Sequence, residues 1–161
     1  KMMSEWYYFA ILAFMKTEHF KSDADHVADR LGLTRAQVSH AIDTLCRLGV
    51  LMIQADGTWV RNQAGHRTTD GLKDLSIRKS HMETLELARK SMVEDAFEET
   101  DYTALTFPLD VEDLPAAKQK IRKFQNELFE EFNTSKKPDE VYRLAVQLFP
   151  LTLTPKKRKS P

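Results

Sequence analysis

Cysteine is nearly missing from this chain: Cys46 stands alone among 161 residues. A single thiol excludes an intramolecular disulfide and any zinc site built from several cysteines, and it suits a reducing compartment. Glycine is scarce too, with five in all, which leaves little material for a glycine-rich phosphate cradle. Long hydrophobic runs are lacking. The longest, Trp6 to Met15, covers ten residues, against the roughly twenty that a membrane-spanning helix requires. No targeting segment is recognisable, so the expected location is the cytoplasm, with no membrane partner. Net charge is also absent, because 24 Lys/Arg are matched by 24 Asp/Glu.

The charge is unevenly spread. Residues 1–70 hold eight basic and eight acidic side chains, residues 71–155 hold twelve and sixteen, and residues 156–159 are all basic. Duplex binding draws most of its sequence-independent affinity from phosphate neutralisation, so a neutral body with an acidic second half is a weak electrostatic footprint for DNA. Catalytic signatures are missing as well. No nucleophile–base pair, metal-ligand spacing or nucleotide loop is present, and neither an enzyme nor a cofactor or metal is expected. The cluster Asp23, Asp25, His26 and Asp29 reads as caps and dipole partners at a helix start, without the spacing of a metal site. Cys46 reads as a small buried hydrophobe, and His81 as a surface or interface histidine.

What is present is concentrated in Val27 to Arg61. A short helix from Asp25 to Leu31 ends at Gly32, which suits the left-handed conformation of a helix C-cap. Thr34-Arg-Ala-Gln37 is a capping box opening a second helix that runs to about Leu48. Val38, Ala41, Ile42, Leu45 and Leu48 form its inner stripe, leaving Arg35, Ser39, His40, Asp43 and Arg47 outward. Gly49 stops it. Val50 to Ile53 and Thr58 to Val60 are β-rich runs around Gln-Ala-Asp-Gly, and Asp56-Gly57 signals a hairpin. The pattern is that of a winged helix-turn-helix, which can hold its second helix proud of the surface for a major groove. Such modules also dock proteins.

Around this centre, Ser4 to Lys16 reads as a helix with Ser4 as N-cap, apolar nearly all round. Packing Trp6, Ala10 and Ala13 inward would leave Tyr8, Phe9 and Leu12 for a second domain or a partner subunit. Residues Arg61 to Asp70 are polar, as in a linker or an extended wing. Beyond Gly71, Leu75, Arg78, Met82, Leu85, Ala88 or Arg89, Met92 and Ala96 trace one stripe of a long helix, with Lys79, Glu83, Glu86 and Lys90 outward. Tyr102 to Leu109 alternates as a strand. Asp113-Leu-Pro115 opens a helix with the seam Leu114, Ala117, Ile121, Phe124, Leu128 and Phe132. Val141 to Phe149 reads as a second strand, with Tyr142, Leu144, Val146 and Leu148 on one face. The two strands and their helix suggest a βαβ unit too small to stand alone. Thr106, Arg143 and Gln147 on its mixed face are a weak candidate ligand shelf.

The stretches WYYFAI, DRLGLTRAQVSHAIDTLCRLGVL, HMETLELARKSM, DYTALTFPL, IRKFQNELFEEF and VYRLAVQLFPLT together resemble a family of uncharacterised proteins expanded in Bdellovibrio and Fibrobacter. The resemblance runs to Thr152. It implies a bacterial protein with a C-terminal domain of unknown function and the description of transcriptional regulator, and it supplies no catalytic residues. Members generally carry a further N-terminal region, so a fragment or a short paralogue is expected here.

The expected fold is therefore α+β: a winged helix-turn-helix domain (1–66), a linker (67–76), an α-β-α-β domain for dimerisation or effector binding (77–153) and a basic tail (154–161). The expected function is DNA-binding transcription regulation by a homodimer on double-stranded DNA. Ser39 and His40 would read bases with Gln37 beside them, Arg35 and Arg47 would contact phosphate, and Arg61 or Arg67 would act from the wing. Lys156, Lys157, Arg158 and Lys159 would add nonspecific attraction. The competing expectation is an adaptor whose winged helix docks a protein partner.

Overall fold

The most apolar stretch of the chain forms its first helix, α1 (Trp6–Phe14), in a computed structural model that describes residues 6–62 and 77–152. A helix without a polar face must be covered on more than one side. Three helices do this: α2 (Ala24–Leu31), α3 (Arg35–Arg47) and α4 (Ile77–Glu94). Tyr7, Tyr8, Ile11, Leu12 and Phe14 are buried, and only Phe9 remains markedly exposed. The expectation that Trp6, Ala10 and Ala13 form the inner face is thus corrected. These three are half-buried, whereas Tyr8 and Leu12, expected to be left for a second domain or a partner subunit to cover, are buried within this core. Ser4 lies outside the described residues.

Local signals set the next elements. The Asp23 carboxylate accepts the His26 N–H at 3.0 Å and caps α2. Gly32 ends that helix with φ 62°, a conformation costly for a residue with a Cβ. Thr34 Oγ1 accepts the Gln37 N–H at 3.2 Å while Gln37 Oε1 accepts the Thr34 N–H at 2.8 Å, so the capping box that opens α3 is closed in both directions. Val38, Ala41, Ile42 and Leu45 of α3 are buried against α1 and α2. A two-stranded antiparallel sheet follows, β1 (Leu51–Ile53) with β2 (Trp59–Arg61), in the register Leu51 opposite Arg61 and Ile53 opposite Trp59. Gly57, at φ 85°, makes the turn. Trp59 fixes the hairpin to the helices by donating its N–H to Ser22 Oγ at 2.9 Å, with its ring 6.0 Å from that of Phe20.

Two expectations beyond the hairpin fail. The first is the inner face of α4. Met82, Leu85 and Met92 are exposed by 63%, 46% and 62%, while Thr84 is buried and Ser80, Glu83, Leu87, Ala88 and Ser91 are half-buried. Thr84 can face inward because its hydroxyl donates to the Ser80 carbonyl at 2.8 Å. The second is the βαβ unit. Residues 101–109 and 141–150 are neither helix nor strand, and neither forms a ladder or any backbone–backbone hydrogen bond among the described residues. Pro108 removes a donor from the first segment, and two strands alone are below the size of a stable sheet. The described residues are mixed helical with one small sheet, an α+β composition.

The chain divides into two units. The first unit takes the described residues up to Leu105 together with Ser135–Val141. That short return segment is tied to the helices by Arg30, which donates to both carboxylate oxygens of Glu140 at 3.0 and 2.8 Å while lying over the Phe14 ring. The second unit takes Thr106–Thr134 and the described residues from Tyr142 onward, and it contains α5 (Leu114–Phe132). Every residue buried among those described belongs to the first unit. Among the described residues no helix is long and apolar enough to cross a membrane.

Candidate functional site

The burial of one side of α3 forces its other side outward. Arg35, Ala36, Ser39, His40, Asp43 and Arg47 are all exposed. Because Val38, Ala41 and Leu45 are wholly enclosed, the helix cannot rotate without opening the core, and the outward row is held rigidly. The capping box fixes its first turn, and Gly49, with φ 67°, turns the chain into the hairpin.

The expected contact residues differ in how much of each side chain is already engaged. Arg35 is bound to Asp25 at 2.6 Å, an exposed ion pair that links the starts of α2 and α3. Gln37 is half-buried, and its carbonyl oxygen serves the cap. Arg47 donates to Thr44 Oγ1 at 3.2 Å and remains exposed. Ser39 and His40 are both exposed. Arg61 is exposed at the end of β2. Arg67 and Lys156, Lys157, Arg158 and Lys159 lie outside the described residues.

Two further members of the row, Ala36 and Asp43, are exposed beside the expected contact residues. Asp43 brings a negative charge between His40 and Arg47, and with burial it holds the Cys46 thiol above its ordinary value, burial being the larger cause. Cys46 is thus a half-buried thiol with little thiolate character. The hairpin end carries a different surface. Met52 and Ile53 are about half exposed beside Asp56. The Thr58 N–H donates to the Asp56 carboxylate at 2.9 Å and holds its pKa below the usual carboxylate range.

The acidic cluster near α2 has structural duties. Asp23 caps, Asp25 pairs with Arg35, and the His26 ring sits 2.9 Å from the His19 carbonyl and stacks on Phe14. In the second unit, Thr106, Arg143 and Gln147 are exposed. Although the Arg143 residue as a whole is exposed, partial desolvation of its guanidinium lowers it from the ordinary arginine value, and it stays charged at neutral pH.

A family model described as a domain of unknown function, DUF4423, matches residues 1–151. The chain belongs to the DUF4423 family. The match takes in α1 to α5 and the hairpin, so the exposed row of α3 lies within the DUF4423 domain. No curated protein and no solved structure matches this DUF4423 chain.

Proposed function

We propose that this DUF4423 protein binds duplex DNA with α3 as the recognition helix and the β1–β2 hairpin as a wing, and that it acts as a transcriptional regulator. The observation that carries this reading is the division of α3 into an enclosed face and an exposed polar row directly followed by a hairpin. That is the geometry with which a helix-turn-helix enters a major groove while its wing meets a neighbouring backbone. Ser39 and His40 read base edges, Asp43 accepts from a cytosine amino group, and Ala36 fits a thymine methyl. Arg47 and Arg61 contact phosphates. Arg35 does so as well when it exchanges Asp25 for the backbone. Lys156 to Lys159 add a sequence-independent attraction.

A second reading is a protein-docking adaptor, favoured by the Arg35–Asp25 pair, by Asp43 and by the apolar hairpin end at Met52 and Ile53. Fluorescence anisotropy of a mixed-sequence duplex titrated across a salt series separates the two. DNA recognition by α3 predicts salt-sensitive binding that survives removal of residues 156–161. Arg47→Ala should then lower the salt slope by about 1. Binding lost with the tail, or absent at low salt, favours the adaptor.

A further inference from the structure

The second unit is apolar on its outside. Phe124, Phe129, Tyr142, Leu144, Val146 and Phe149 are exposed by 42–75%, and no residue of the unit is buried among those described. Val111, Phe132 and Leu151 of the same unit are exposed by 80%, 68% and 72% as well, apolar surface of the kind that a stable interface removes from water at roughly 800 Å² per partner. Residues 142–148 are neither helix nor strand and make no backbone–backbone hydrogen bond among the described residues. Their backbone groups are open to a partner, and their apolar/polar alternation is that of a strand.

The apolar/polar pattern of that segment is symmetric. In Tyr142-Arg-Leu-Ala-Val-Gln-Leu148, reversal about Ala145 exchanges Tyr142 with Leu148, Arg143 with Gln147 and Leu144 with Val146. An antiparallel ladder between two copies, with its twofold axis at Ala145, therefore puts large apolar residues opposite one another on one face. On the other face, Arg143 meets Gln147 on both sides of a central Ala145 pair. Directly opposite residues share a face, so this register keeps the apolar set together. A twofold at Arg143 would oppose two like charges, and one at Gln147 would carry Pro150 into the ladder, where it has no N–H to give.

We propose that residues 142–148 pair antiparallel with the same residues of a second copy, the twofold passing at Ala145, to make a homodimer whose apolar surface covers the second unit. This goes beyond the DNA-binding reading and stands whether or not DNA is bound. A twofold contact is self-complementary by necessity, and the apolar/polar pattern of this segment has that property.

The test is the mass of the full chain in solution combined with cross-linking. In a Cys46→Ala background, sedimentation equilibrium is expected to give twice the 18.6 kDa of the chain. Ala145→Cys in that background is expected to form a disulfide-linked dimer on mild oxidation, because directly opposed residues stand about 4.5–5.5 Å apart at Cα, within disulfide range. Arg143→Cys alone should cross-link far less, whereas mixing Arg143→Cys with Gln147→Cys chains should restore the link. Gln147→Glu, which sets a carboxylate opposite Arg143, should tighten the dimer, and Gln147→Arg should loosen it several-fold, each without altering the far-ultraviolet circular dichroism of the helices. A monomer at all accessible concentrations overturns the proposal. So does a dimer that cross-links equally at 143 and 145 or ignores both Gln147 changes.

Discussion

At the scale of single residues, the strongest determinants are short-range, and these are the ones the sequence displays most openly. Thr34 and Gln37 are three positions apart, and their reciprocal bonds need only the first turn of α3. Gly32, Gly49 and Gly57 take positive φ at turns where helix periodicity or hairpin composition breaks. Thr34→Ala removes one half of the box, and the expected cost is about 1 kcal/mol, measurable by urea unfolding. Asp56 gives a pH prediction. Its folded pKa is lowered by the bond from the Thr58 N–H, so its contribution is present above the unfolded carboxylate value and lost as pH falls through the lower folded value. The Thr58 amide proton, followed by NMR in an acid titration, should shift with a midpoint below that of an ordinary aspartate. Asp56→Asn should abolish that titration.

At the scale of elements, legibility depends on whether one face is buried against one neighbour. The inner stripe of α3 agrees with its 3.6-residue pattern because α1 and α2 cover that side. Helix α4 does not follow its pattern. Its most apolar stripe, Met82, Leu85 and Met92, faces outward, and the packed side is built from Thr84, Leu87 and Ala88 with Glu83 among them. Small and hydroxyl-bearing side chains allow close approach to the bulky α1, a requirement of the neighbour that hydrophobicity along α4 does not reveal. This arrangement leaves a polar atom in an unfavourable place: Glu83 Oε2 is buried without a hydrogen-bond partner among the described residues. A buried unpaired acceptor costs about 1–3 kcal/mol. Replacing it by a side chain of similar length with no such need, Glu83→Met, should raise stability by about 1 kcal/mol, read as a higher denaturation midpoint with an unchanged m-value.

At the scale of the whole molecule, the apolar content is ample but its burial is uneven, with the enclosed core in the first unit and a second unit that has an open surface. The alternation in residues 102–109 and 141–149 is visible in the sequence, yet alternation specifies only that a strand has a face and an edge, not which chain supplies its neighbour. Hydrogen exchange tests where the neighbour lies. Amides of Val38 to Leu45 sit within the enclosed α3, and their protection should not vary with protein concentration. Amides of 142–148 have no backbone acceptor among the described residues and should exchange freely at high dilution. If a second copy supplies the ladder, their protection should rise with concentration and should alternate. In a single antiparallel pairing only every second residue directs its N–H to the partner. Protection would then fall either on Arg143, Ala145 and Gln147 or on Tyr142, Leu144, Val146 and Leu148. Uniform protection along the segment would indicate a helix or a strand bonded on both edges, whereas alternating protection independent of concentration would place the partner strand in the same chain.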